Sequence, residues 1–198
     1  MTTSETLREA LSRPVTSLRP TAGWAAVSAI FTADLDLLLL KRTEHPNDPW
    51  SGHLSFPGGR VEPEEEPLDA ARRETVEEVG LDLHDAQLLG RLDDLAAVGG
   101  RPGMVIRPYV FLLPGQLPPL RPNPSEVAGT HTVALSDLLS GEGRTTMTWE
   151  RGDQRLTLPA VELRGLSHPR LWGLTLRMVD DLLHRIDGRG VGLKRGPT

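Results

Sequence analysis

The residues that most restrict the fold run from Gly58 to Leu81, GGRVEPEEEPLDAARRETVEEVGL. A double glycine leads into a helix with marked ends. Pro67 suits a first helical turn, Ala and Glu fill the interior, and Gly80 suits the position just past the end. Leu68, Ala71, Thr75 with Val76, and Val79 follow the three-and-four spacing of one buried stripe. Glu74, Glu77 and Glu78 fall at i, i+3 and i+4, so they are expected together on another, exposed face. On that reading Glu78→Gln removes a charge without disturbing the fold. Like charges so placed repel by roughly a few tenths of a kcal/mol per pair. They become favourable around a hard divalent cation, since Mg²⁺ or Mn²⁺ prefers carboxylate oxygens, water and substrate phosphates. Arg73 can hold a carboxylate through two bonds or meet a phosphate. The sequence FPGG, Phe56 to Gly59, lets backbone approach a metal or phosphate closely. An acidic helix face alone is usually just solvated. The combination with glycines and arginine is what points to chemistry.

Composition narrows the setting. The 198 residues suit one domain, with residues 1–20 as an N-terminal helix and loop and 188–198 as a flexible tail. Hydrophobic residues at 38% supply a core. A net charge of -5 argues against a nucleic-acid surface. It leaves a nucleotide open as a small substrate when a cation intervenes. Without cysteine, any metal must take oxygen or imidazole ligands, and the cytoplasm is the expected location. The polar start MTTSETLREALSRP lacks a signal-peptide core, and Leu37–Leu40 is too short to span a bilayer, so no membrane role is expected. A homodimer is left open.

The order of elements is mixed α and β. Residues 4–13 read as a helix stopped by Pro14; 24–32 and 35–43 read as strands. Residues 44–59, rich in Pro and Gly, read as loop. After the central helix come strands at 86–95 and 105–114, a proline-rich loop at 117–126, and a strand with a short helix at 131–140. A hairpin at 145–163 and a second amphipathic helix at 170–186 follow. Trp24, Trp149 and Trp172 are expected in the core, Trp50 in the loop, and the basic stretch from Arg185 to Arg195 as a solvated end.

The stretch from Gly59 to Leu81 resembles the Nudix box, G-x5-E-x7-R-E-U-x-E-E-x-G-U with U bulky and apolar. Gly59, Glu65, Arg73, Glu74, Glu77, Glu78, Gly80 and Leu81 match it, with Thr75 at the first U position. The resemblance implies an α/β fold: a Nudix-type α/β/α sandwich with a mixed central β-sheet. It implies hydrolysis of a nucleoside diphosphate linked to another group, with Mg²⁺ or Mn²⁺ as cofactor. By position, Glu74, Glu77 and Glu78 are implied metal ligands, with the Gly58 carbonyl completing the shell. One of these glutamates, or Glu126 on a later loop, is implied as general base. Arg73 is implied to hold the glutamates. Glu65 supports the loop and helix or reaches a metal through water, and Gly59 and Gly80 are structural.

The upstream segment narrows the substrate. Leu38, Leu39, Arg42, Gly52 and Phe56-Pro57-Gly58-Gly59 resemble the extra motif of coenzyme A pyrophosphatases, as do GRLDDL at 90–95, VIRPYV at 105–110 and LWGLT at 171–175. The resemblance implies cleavage of coenzyme A or its derivatives to 3′,5′-ADP and 4′-phosphopantetheine. Three departures lie where the coenzyme is read: His53 replaces Gln, the spacer is one residue longer, and Asn47 and Asp48 stand where a basic residue is usual. Arg42, Arg60 and His53 are the substrate-contact candidates. The alternatives are another nucleotide (a nucleoside triphosphate, ADP-ribose or a dinucleotide) or a non-catalytic nucleotide sensor.

Overall fold

The computed structural model describes residues 3–45, 51–97, 102–151 and 154–187. Helix α1 spans Ser4–Leu11, and strands β1 (Trp24–Phe31) and β2 (Asp36–Arg42) follow. Next come β3 (Leu54–Ser55), β4 (Gly58–Arg60), helix α2 (Pro67–Val79), β5 (Gln87–Arg91), β6 (Leu95–Ala96) and β7 (Val105–Leu112). Then β8 (Val127–Ala134) leads into α3 (Leu135–Ser140), strands β9 (Arg144–Arg151), β10 (Gln154–Leu163) and β11 (Leu166–Trp172), and helix α4 (Gly173–Asp187).

The central sheet runs β3-β2-β1-β7-β5, with β4 added to β1, β6 to β7 and β8 to β2. It is mixed: β1 and β7 pair in parallel from Trp24↔Val105 to Phe31↔Leu112, while the other pairs are antiparallel. Both faces are covered, and this explains the unbroken run Leu37–Leu40. Leu37 and Leu39 pack with Phe31 against α1, α3 and α4. Leu38 and Leu40 pack with Ile30 and Phe111 toward the end of α2 at Val79. These are the three layers of an α/β/α sandwich. Strands β9, β10 and β11 form a separate antiparallel sheet.

Helix α2 is set by its ends. Pro67 begins it, and Gly80 closes it in the left-handed conformation (φ 68°), its N–H donating to the Val76 carbonyl at 2.8 Å. Its small residues Ala70 and Ala71 lie directly on Ala26. The first U position, Thr75, is fully buried; its hydroxyl reaches the Ala71 carbonyl at 2.7 Å and lies 3.1 Å from the Ser28 hydroxyl. A polar side chain thus fills an apolar position with its hydrogen bond satisfied.

Several expectations change. Residues 44–59 are not all loop: β3 pairs with β2 and β4 with β1, and Gly58 permits the second pairing. A Cβ on Gly58 would lie 2.2 Å from the Ala26 carbonyl oxygen, at φ +147°. Residues 170–172 are strand rather than helix, and α4 starts at Gly173. Trp24, Trp149 and Trp172 are half-buried rather than core. Asn47, Asp48, Trp50 and residues 188–198 lie outside the described residues. Among the described residues no helix is long and apolar enough to cross a membrane.

Arg185 is not part of a solvated end. Its side chain is 7% exposed and donates to Asp93 (2.6 Å), Asp181 (3.0 Å) and the Pro14 carbonyl (3.3 Å). It thereby ties α4 to the β5–β6 connection and to the segment after α1. Removing one partner of a buried ionic network leaves the others uncompensated. Arg185→Met should therefore lower unfolding stability by about 3 kcal/mol in urea titration. A loss below about 0.5 kcal/mol would return Arg185 to the class of surface residues.

Candidate active site

The site is organised by one guanidinium. Arg73 has five N–H donors, and they serve four residues. Nε and Nη2 clasp the Glu65 carboxylate at 2.9 and 3.1 Å. Nη1 donates to Glu74 (2.9 Å) and Glu77 (3.1 Å), and Nη2 donates also to the Arg60 carbonyl (3.0 Å). Glu65 further accepts the Glu62 N–H at 2.9 Å, fixing the turn that leads into α2. The bond from Arg73 holds the Glu65 carboxyl below its usual range, and the bond to Glu65 in turn raises Arg73.

The three box glutamates stand in three environments. Glu77 is half-exposed. Glu74 sits on Gly59, where a Cβ would lie 2.4 Å from its carboxyl carbon, so only glycine leaves room there. Burial raises the Glu74 pKa against the pull of Arg73, and repulsion from Glu77 and Glu126 adds to it. Glu78 is 4% exposed, which overturns its expected place on the exposed face. Its carboxylate accepts the Gly58 N–H at 2.9 Å. Burial pushes its pKa up to about 7, with Glu74 and Glu126 adding repulsion and Gly58 and Arg42 opposing. The reason is helical spacing: the stripe 71, 75, 78 carries Glu78 inward, while Val76, expected inside, is 46% exposed.

The other candidates surround this cluster unequally. Glu126 is exposed, on a loop pinned to the end of α2 by Asn123 N–H to the Glu78 carbonyl and Arg121 N–H to the Val79 carbonyl, each 2.8 Å. Its own carbonyl accepts the Thr43 N–H at 2.8 Å. Arg42 ends β2 beside a bulge opposite Val127, and its charge acts on Glu78. Arg60 is exposed and meets the site through its carbonyl. His53 packs edge-to-face on Trp172, ring centroids 4.5 Å apart. GRLDDL and VIRPYV meet in a second charged cluster: buried Asp94 accepts from Arg107 at 2.9 and 2.8 Å and from Arg91 at 3.2 Å. The Arg107 guanidinium lies 4.2 Å from the Trp24 ring centroid. The pairing of residues 91, 94 and 107 was not legible from either motif alone.

Among the described residues, no three His, Asp or Glu side chains converge tightly enough to grip an ion as they stand. The donor set nevertheless fits a hard cation. Glu74, Glu78 and Glu126 are close enough to repel one another, two of them are desolvated, and all offer oxygen. The bonds described engage Glu74 Oε1, Glu77 Oε2 and Glu78 Oε2. The second oxygen of each lies outside those bonds.

Residues 23–152 match the NUDIX domain family. A Nudix hydrolase NudL of Photorhabdus laumondii is 33% identical over 150 residues, covering 75% of this chain and 76% of that one. A Schizosaccharomyces pombe protein of uncharacterized function is 38% identical over 115 residues; these are 55% of this chain but only 35% of that protein. The crystal structure of a MutT NUDIX hydrolase from Burkholderia pseudomallei shares the fold, with a TM-score of 0.51 and 22% identity, over 83% of this chain and 98% of that one. The chain belongs to the Nudix hydrolase family. It is accordingly an enzyme of the pyrophosphatase class, and Nudix hydrolases use divalent cations.

The raised pKa of Glu78 has a consequence for stability. The folded state holds this proton more tightly than the unfolded chain, whose value is 4.5. The stabilisation is therefore complete below pH 4.5 and is lost as pH rises through about 7. In EDTA, the Tm should fall from pH 5 to pH 8 more steeply in the wild type than in Glu78→Gln. Equal slopes would show that Glu78 titrates normally.

Proposed function

We propose that the chain hydrolyses the pyrophosphate bond of coenzyme A or its derivatives, giving 3′,5′-ADP and 4′-phosphopantetheine, with Mg²⁺ or Mn²⁺ as cofactor. The observation that carries the hydrolytic part is the acidic face of α2, with Glu74 set on Gly59, Glu78 bonded to the Gly58 N–H, and Arg73 bracing Glu74 and Glu77. The coenzyme part rests on the resemblance of the segment from Leu38 to Gly59, whose described residues include Arg42 at the end of β2, strand β3 and the start of β4.

Glu74, Glu77, Glu78 and the Gly58 carbonyl would hold the cation, which supplies charge neutralisation of the pyrophosphate and a more acidic water. Arg73 keeps Glu74 and Glu77 oriented while Glu65 anchors Arg73. Arg42 and Arg60 stabilise phosphate oxygens as charge shifts onto the leaving phosphate. Water attacks one phosphorus and the bridging P–O bond breaks. One proton of the water passes to Glu126, exposed on its pinned loop, and the other stays on the new phosphate monoester. The nucleotide partner is a small molecule, read in part by His53.

The test is product chromatography on coenzyme A, acetyl coenzyme A, ADP-ribose, NADH, diadenosine polyphosphates and nucleoside triphosphates, with Mg²⁺ and separately with Mn²⁺. Coenzyme A should give 3′,5′-ADP fastest, and excess EDTA should abolish turnover. Glu74→Gln and Glu126→Gln should each lower kcat by about 10²-fold or more. Faster cleavage of another nucleotide would move the substrate to that class; turnover persisting in EDTA would remove the metal mechanism; no turnover of any compound with either cation would favour a nucleotide sensor.

A further inference from the structure

The LWGLT segment at 171–175 has no part in the chemistry above, yet it touches His53 and Leu54, on and just before β3. Thr175, 7% exposed near the start of α4, donates its hydroxyl to the Leu54 carbonyl at 3.0 Å. Trp172, the last residue of β11, holds the His53 ring edge-to-face at 4.5 Å. Both contacts fall on the short strand β3 and the residue before it. The same segment is bonded to the site from its other side: the Arg42 N–H donates to the His53 carbonyl at 3.0 Å, and Leu40 and Lys41 pair with Ser55 and Leu54. Past β3 the chain reaches Phe56, Pro57 and the Gly58 whose N–H meets Glu78. Two residues of pairing is too short a strand to hold itself. Its placement depends on what packs against it, and β11 with the start of α4 does so.

We propose that Trp172 and Thr175 are positioning residues for substrate binding. Thr175 fixes the height of β3, and with it the backbone from which Arg42 and Gly58 project. Trp172 fixes the ring of His53, and the two half-buried rings form a step beside Arg42 on which the group linked through the pyrophosphate rests. On the coenzyme A reading that group is the extended chain, whose methylene and methyl groups can lie along the ring faces, where ADP-ribose offers a second, more compact sugar. Neither residue touches the reacting atoms. The inference rests on the reading of the chain as a nucleotide pyrophosphatase.

The test compares wild type, Thr175→Val, Thr175→Ser, Trp172→Leu and Trp172→Phe on coenzyme A and ADP-ribose. Thr175→Val should raise KM for coenzyme A about 10-fold with kcat within about threefold, and Thr175→Ser should restore it. Trp172→Leu should lower the ratio of kcat/KM for coenzyme A over ADP-ribose about 10-fold, with Trp172→Phe close to wild type. The His53 ring protons, read by NMR without substrate or metal, should move in Trp172→Leu as the indole ring current is lost. A purely structural support would lower Tm and the active fraction while leaving KM and the substrate ratio unchanged. An active wild type whose variants keep KM, ratio and His53 shifts overturns this inference alone. A wild type that cleaves neither compound overturns the functional reading and this inference with it.

Discussion

Arg73 is the point at which loop, helix and chemistry are joined. Its guanidinium spends every N–H on a partner drawn from the turn before α2, the helix itself and the carbonyl of β4. The planar fork matters: one edge fits the two oxygens of Glu65, while the other end spreads between Glu74 and Glu77. A lysine at this position has no second edge and could not brace both sides at once. Because β4 lies against β1, the same guanidinium links the acidic helix to the centre of the sheet.

The cluster so braced is costly in isolation. Glu78 is buried with one backbone donor for its carboxylate, and Glu74 is desolvated on a glycine. Charges held this way favour protonation unless a cation or a substrate-borne counterion arrives. On the proposed reading a cation arriving with the substrate relieves that electrostatic stress, so a chain of net negative charge can favour a negatively charged substrate.

The Nudix box was legible because its residues are local: one helix, one turn and one arginine, all at fixed spacing. The β1–β2 strands, the extent of α2 and the role of Gly80 were legible for the same reason. The inward turn of Glu78 was not, since charge suggested solvent while the 71-75-78 spacing pointed to the core. Strands β3 and β4 were hidden because Pro and Gly mark them as loop, and their pairing depends on strands far away in sequence. The bonds of Arg185 to Asp93 and Thr175 to Leu54 cross 92 and 121 residues, beyond the reach of any local pattern.

Those long separations bear on how the molecule is made. The segment matching the family ends at residue 152, but the bonds that seat β3 and tie down the segment after α1 come from α4. During synthesis at about 5–20 residues per second, the box helix and its glycine loop leave the ribosome seconds before the helix that seats them. Until α4 docks, the nascent chain has its acidic helix but lacks the Thr175 bond to β3. The seating of β3 therefore waits for a helix translated more than 100 residues after it.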